Sequence, residues 1–197
     1  MPPKLRYLLI GLFLWAQSAA GSGTVVVLDP GHGGKDPGTI WGGVSEKTVT
    51  LSIALKVEKL LRARGIKTAL TRRSDLYRSL TSRKAVANSF RRSIFVSIHC
   101  NADRSHRARG IETFYCGQQG YRLAKSIHSI LDNNTTTTDR GLKRADFSVL
   151  RNTNGAAALV ECGFLTCPSE RRLLTTEIYQ QRVASAIASG VIRSLNR

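Results

Sequence analysis

Thr24-Val25-Val26-Val27-Leu28-Asp29-Pro30-Gly31-His32-Gly33-Gly34 is the stretch on which the fold turns. A run of β-branched residues stopped by Pro-Gly reads as a buried strand ending in a tight turn, which holds the His32 imidazole just past the strand's carboxyl end. Ligands meet open α/β sheets at that edge. One histidine is weak ground, since most are surface or hydrogen-bonded core residues, so its meaning depends on partners.

Two further apolar runs supply them. Ser93-Ile94-Phe95-Val96-Ser97-Ile98 leads into His99-Cys100-Asn101-Ala102, and Ala156-Ala157-Ala158-Leu159-Val160 leads into Glu161-Cys162-Gly163-Phe164. If the three strands are parallel neighbours, His32, His99 and Glu161 lie along one sheet edge and can converge. Glu46 is a fourth candidate. It opens a helix behind Ser45, a position where the helix dipole favours an acid whether or not it does anything else.

Working outward, apolar residues recur at Val49, Ile53, Val57 and Leu60/Leu61, a helical stripe closed by Gly65. A short strand is expected over 66–70, a helix over 79–90, a strand over 110–115 and a helix over 121–131. The polar tract from Asn133 to Asp139 reads as a surface loop, and Val183, Ile187, Val191 and Leu195 mark a C-terminal helix that covers one sheet face. The alternation predicts a three-layer α/β fold, with a mostly parallel six-stranded sheet flanked by helices.

Length and composition set the frame. A chain of 197 residues suits one domain with a full core. Lys4 and Arg6, the apolar stretch from Tyr7 to Ala16 and the small residues Ser18-Ala19-Ala20 read together as a signal peptide over residues 1–20, either cleaved on export or retained as an uncleaved anchor. The stretch is shorter than the about twenty apolar residues of a membrane span. Residues 21–197 are then expected to form a single domain in the periplasm or cell envelope.

The formal net charge is +17, and +15 without Lys4 and Arg6. Aromatic residues make up only 7%, too few to interleave a basic surface with stacking groups, so nucleic acid is not the expected partner. An anionic envelope surface fits an exported protein better, and a solvated basic surface that serves only solubility fits the same composition. Cys100, Cys116, Cys162 and Cys167 lack the spacing of a thiolate zinc site. A Cys100–Cys162 bridge between neighbouring strands and buried free thiols are both compatible with the sequence.

Two histidines and a carboxylate are a sufficient protein ligand set for catalytic zinc, with an open position for water and a further glutamate to move protons. At these residues the chain resembles the zinc-dependent N-acetylmuramoyl-L-alanine amidases of the Amidase_3 family. The resemblance is carried by Asp29-Pro30-Gly31-His32-Gly33-Gly34 with Asp36 and Gly38, and then by Glu46-Lys47. It continues through Thr71-Arg72 with Asp75, Arg83 with Ala87-Asn88, and Ser97 to Ala102. Gly110 to Tyr115, Arg140-Gly141-Leu142 and Leu159 to Phe164 complete it. These segments follow in family order from Val25 onward.

The resemblance implies that His32, Glu46 and His99 bind one zinc ion per chain and that Glu161 is the catalytic acid/base. It implies hydrolysis of the amide between N-acetylmuramic acid and L-alanine in peptidoglycan, in wall remodelling or daughter-cell separation. Asn101 and Arg140 are expected to support the ligands or touch substrate. His106, His128 and Glu112 are expected to have structural roles. Cys100, Cys162 and Cys167 depart from the family pattern without touching the ligand set. Cys116-Gly117-Gln118-Gln119-Gly120 leads straight into a helix, where some members carry an autoinhibitory insertion, so no obligatory activator is expected. Two other readings remain: a zinc peptidase cutting another bond of the stem, and a non-catalytic wall-binding module, to which Glu161 would be superfluous.

Overall fold

The computed structural model describes residues 23–151 and 153–196. The expected signal peptide lies outside them. The opening stretch forms β1 (Val25–Pro30), buried at every position after the first. A two-stranded hairpin follows, β2 (Ile40–Trp41) and β3 (Val44–Ser45), then α1 (Glu46–Arg62) and β4 (Thr68–Leu70). The chain continues through α2 (Leu80–Asn88), β5 (Ser93–Asn101), β6 (Ile111–Tyr115) and α3 (Gly117–Asn134). It ends with β7 (Asp139–Arg144), β8 (Ala156–Phe164), α4 (Pro168–Leu174) and α5 (Glu177–Leu195).

Six strands make one sheet in the order β4-β1-β5-β8-β6-β7. β4, β1, β5 and β8 are mutually parallel, and β6 enters antiparallel to β8 and parallel to β7. The three apolar runs β1, β5 and β8 are therefore adjacent at the centre. Strands covered on both faces carry continuous apolar residues, which is why these were readable as strands.

Alternate side chains point to opposite faces, and the two faces are covered unequally. Val26 and Leu28 of β1 join Val96, Ile98 and Val160 against Ile53 and Val57 of α1, Leu123 and Ile127 of α3, and Val183 and Ile187 of α5. Val27, Phe95, Ala157 and Leu159 face the other way, against Ala87 of α2 and Val149 and Leu150. Full burial of each such side chain contributes roughly 1.5–3 kcal/mol, so the three-helix face dominates the stabilisation. None of the described helices is long and apolar enough to cross a membrane.

Three local expectations change. The tract expected as a loop from Asn133 to Asp139 splits between the end of α3 and the start of β7, leaving only 135–138 as a connection. β7, Asp-Arg-Gly-Leu-Lys-Arg, is an edge strand with mostly exposed or half-buried positions, and edges favour charge over apolar alternation. The hairpin and α4 had no sequence counterpart, because elements of two and seven residues carry too little periodicity. All four cysteines are free thiols, three of them buried.

Candidate metal centre

β1 stops because the chain must turn sharply into the glycines. Gly31 N–H still donates to the Ile98 carbonyl at 2.9 Å, and His32 then takes a positive φ of 60°. A non-glycine residue there is strained by about 1–3 kcal/mol, so the surroundings must hold it. Arg83 does so by donating from Nη2 to the His32 carbonyl at 2.7 Å, and reciprocal backbone bonds between Gly33 and Asp36 close the turn. The imidazole is oriented by Asp36, whose Oδ2 lies 2.9 Å from Nδ1. A carboxylate at Nδ1 fixes the proton there and leaves the Nε2 lone pair for another partner.

That partner face belongs to Glu46, the first residue of α1. Ser45 has the extended backbone of an N-cap, but its hydroxyl pairs with Thr48 at 2.9 Å instead of capping. Glu46 turns inward and is 3% exposed. Its Oε1 lies 3.1 Å from His32 Nε2 and 3.0 Å from His99 Nδ1, and it accepts from Cys100 N–H at 3.0 Å. Its Oε2 accepts from Thr39 N–H at 3.0 Å. Burial acts to raise the Glu46 carboxyl, yet the bonds and charge of the two imidazoles overcome it and hold the group well below the usual carboxylate range. For His32, burial acts downward, and Glu46 followed by Asp36 outweighs it, so the imidazole is raised.

One donor atom each from His32, Glu46 and His99 lies within 4.8 Å of the other two. This is the only such group of three among the described residues. Two imidazoles and one carboxylate match the donor set of a hydrolytic zinc site, and the backbone around them leaves no slack. A Cβ on Gly31 would come within 2.4 Å of the His99 ring, and one on Gly38 would come within 2.6 Å of both Glu46 Oε2 and the His32 ring. Only glycine lets the chain pass so close. The residues present therefore fit a metal ion.

Glu161 reaches the same edge from β8, as the register partner of His99. Its Oε2 is sealed from solvent without a hydrogen-bond partner among the described residues. Burial first, and then the charges of Glu46 and Glu112, push its carboxyl well above the usual range. Glu112 faces Glu161 across the antiparallel β6. Burial of Glu112 is offset by Lys143 and Arg140, which keep it low. Arg140 Nε donates to Glu112 at 3.0 Å, and Lys143 and Asn101 donate to it as well. Asn101 and Arg140 are thus gathered on Glu112, one step from the three clustered donors.

His106 and His128 lie elsewhere. His106 stacks on the exposed Trp41 with ring centroids 4.3 Å apart, and His128 bridges Thr113 and Asp139 at 2.9 and 2.8 Å.

The support beneath the site escaped a residue-by-residue reading. Asp29, fully buried at the end of β1, accepts from Thr71 Oγ1 at 2.6 Å, Arg83 Nη1 at 2.8 Å and Ser97 Oγ at 2.8 Å. Arg72 is also buried and donates to the carbonyls of Pro30, Gly31 and Lys47 at 2.8–3.1 Å. Lys47 and Gly34 N–H meet Asp75 at 2.6 and 2.7 Å. A charged residue inside an apolar strand was the available signal at Asp29. Glu170 gave none: an acid in the first turn of α4 looks like ordinary dipole pairing, yet it accepts from Gly110 and Phe164 N–H, both at 2.7 Å, and from Thr137.

Known proteins resemble this chain in both sequence and fold. Residues 26–193 match the family model Amidase_3, described as N-acetylmuramoyl-L-alanine amidase. The germination-specific N-acetylmuramoyl-L-alanine amidase of Bacillus subtilis is 35% identical over 189 residues, spanning 87% of this chain and 80% of that one. The catalytic domain of CwlV, an N-acetylmuramoyl-L-alanine amidase from Bacillus (Paenibacillus) polymyxa var. colistinus, superposes with a TM-score of 0.85. It is 38% identical and covers 88% of this chain and 98% of its own. The amidase AmiC2 of Nostoc punctiforme gives 0.86 at 37% identity, with coverages of 90% and 99%.

Proposed function

The chain belongs to the Amidase_3 family of N-acetylmuramoyl-L-alanine amidases, enzymes of cell-wall peptidoglycan, and from that footing we propose a zinc-dependent hydrolase that cuts N-acetylmuramic acid from the L-alanine of the peptide stem. His32, Glu46 and His99 hold one zinc ion. The observation that carries the reading is the gathering of their donor atoms within 4.8 Å, next to a glutamate with an unpartnered buried carboxyl oxygen. When bound, zinc supplies a Lewis acid for the amide carbonyl and brings the ionisation of water near neutral pH.

The protein's own groups do the rest. Glu161 takes the proton of the attacking water and returns it to the departing L-alanine nitrogen, a task for a carboxyl with proton affinity lifted by burial. Asp36 holds His32 in the tautomer that presents Nε2. Glu112, neutralised by Arg140 and Lys143, fixes the strand beside Glu161 and keeps Asn101 and Arg140 at the edge of the cleft. The direct passage of β6 through Cys116 into α3 supports the reading that no obligatory activator is needed. Export to the periplasm or envelope by residues 1–20 brings it to its substrate, in wall remodelling or daughter-cell separation.

Digestion of purified peptidoglycan with and without chelator, read by mass spectrometry, tests the proposal. Stem peptides with a free L-alanine amino terminus, released only without chelator, support it. Cleavage at another stem bond would make the protein a peptidase, and no cleavage would make it a binding module.

A further inference from the structure

Arg140, near the start of β7, is pinned at three points along its side chain and left free at its tip. A Cβ on Gly110, which takes a φ of 118°, would come within 3.0 Å of Arg140 Cγ, so the stem of the side chain lies against bare backbone. Nε donates to Glu112 Oε2 at 3.0 Å, and Cζ sits 5.1 Å from the centre of the Phe164 ring, a contact that settles where the guanidinium lies. Neither Nη group makes a hydrogen bond among the described residues, and the side chain is 35% exposed.

An arginine that served only to neutralise a carboxylate would turn its two prongs to it. Arg73 does so, giving Nη1 and Nη2 to the two oxygens of Glu58. Arg140 gives Glu112 its Nε alone, and Lys143 supplies a second cation to the same oxygen. Among these three side chains one positive charge is unmatched, and it is carried by a fork shaped for a planar pair of oxygens.

Position says which anion the fork meets. Across the sheet the order is His32 in the turn after β1, His99 of β5, Glu161 of β8, Glu112 of β6 and Arg140 of β7. β6 runs antiparallel to β8 and parallel to β7, so the starts of β6 and β7 lie at the edge where β8 ends. On the amidase reading the scissile carbonyl meets the metal donors and the L-alanine nitrogen meets Glu161, so the peptide continues toward β6 and β7. Two strand spacings, about 10 Å, separate β8 from β7. One extended residue covers about 3.5 Å of this, and the side chain of Arg140 and the branch of the next stem residue close the rest.

We propose that Arg140 sets the peptide specificity of the site: its two Nη groups take a free carboxylate on the stem residue that follows L-alanine. That contact fixes the direction in which the peptide leaves the metal centre. The assignment rests on the amidase reading for the place of the L-alanine, and on the held geometry of Arg140 for the chemistry of the ligand. Glu112, Gly110 and Phe164 position the fork and do not touch substrate.

The test sets N-acetylmuramoyl-L-alanyl-γ-D-glutamyl-L-lysine, which has a free α-carboxylate on its second residue, against the same compound amidated there. Cleavage of either one before L-alanine by zinc-loaded protein bears on the amidase reading, and only the ratio between them bears on Arg140. In the parent, kcat/KM should favour the free carboxylate at least about tenfold. Arg140→Gln should bring the ratio below about twofold, and Arg140→Lys, which keeps a cation beside Glu112 without the fork, should leave about threefold. Arg144→Gln removes equal charge from the exposed far end of the same strand and should keep the parental ratio. A purely structural Arg140 would lower both rates together, so an unchanged ratio in Arg140→Gln overturns the proposal, as does a parental ratio near one. Binding of L-alanyl-γ-D-glutamyl-L-lysine and its amide, followed by the NMR shifts of the Gly141 and Leu142 amides, makes the same comparison without turnover. Tighter binding of the free carboxylate, lost in Arg140→Gln, is expected whether or not the muramoyl compounds are cleaved, and equal binding of the two peptides by the parent sinks the assignment.

Discussion

Two regions of one sheet edge, the cradle between β1 and β5 and the end of β8, each draw a glutamate carboxyl oxygen out of water, with opposite results. Glu46 enters a nest of donors: two imidazoles and the N–H groups of Thr39 and Cys100. Glu161, one strand away, has Oε2 sealed without a partner and two other carboxylates as its electrostatic neighbours. The first is driven to stay charged, while the second holds a proton more tightly than an ordinary carboxyl. Burial is common to both, so the donors within reach decide the sign. A fixed anion for a cation and a proton carrier for a leaving group are thereby made from the same residue type.

The largest effect is expected from emptying the cradle. His99→Ala or Glu46→Gln should reduce zinc from one per chain to background, and muramoyl-peptide hydrolysis should disappear with it; metal analysis beside the assay checks this. A variant that lost its activity while keeping full zinc would break the assignment of the cradle as the metal site. Glu161→Gln should behave oppositely, keeping one zinc and losing about 10²–10⁴-fold in kcat with KM little altered. Near-parental turnover in that variant would remove Glu161 from the chemistry and dissolve the contrast.

The same contrast explains what could be read before folding. β1, β5 and β8 were legible because doubly covered strands are largely apolar, and His32, His99 and Glu161, at or just past their carboxyl ends, mark where cover gives way. Glu46 was ambiguous, since its position as an opening helical acid is independent of the imidazoles it meets. Asp29, with partners 42, 54 and 68 residues away, could be noticed as a charge in a strand but not paired. β7 was hidden for a different reason: its edge position asks for charge where a central strand asks for valine. What stays illegible is the long-range satisfaction of polar groups, the property that separates Glu46 from Glu161.

Asp29 extends the comparison to stability. It is fully satisfied and fully buried, and its partner Arg83 is 4% exposed as a side chain. Asp29→Asn strands a buried guanidinium and should cost about 3–5 kcal/mol in urea unfolding. The exposed pair Arg151–Asp146, with side chains 50% and 74% accessible, is the counterpart, and Asp146→Asn should cost no more than about 1 kcal/mol. Equal costs would mean that burial does not set the value of a charge partner in this fold.

The smallest effect is the most pointed. In metal-free protein the folded Glu161 binds its proton more tightly than the unfolded chain, whose carboxyl titrates near about 4.3. Its contribution to stability is therefore full below that value and is lost as pH rises toward the folded value. Glu161→Gln cannot ionise, so in chelator its thermal midpoint should equal the parent's at about pH 4 and rise progressively above it toward about pH 8. Glu46 must give the mirror image. Its depressed folded value places its contribution above about 4.3 and removes it as pH falls, so Glu46→Gln should lie below the parent at about pH 8 and approach it in acid. If the two difference curves ran in the same direction, the opposed proton affinities of the two glutamates would be wrong, whatever the variants did to turnover.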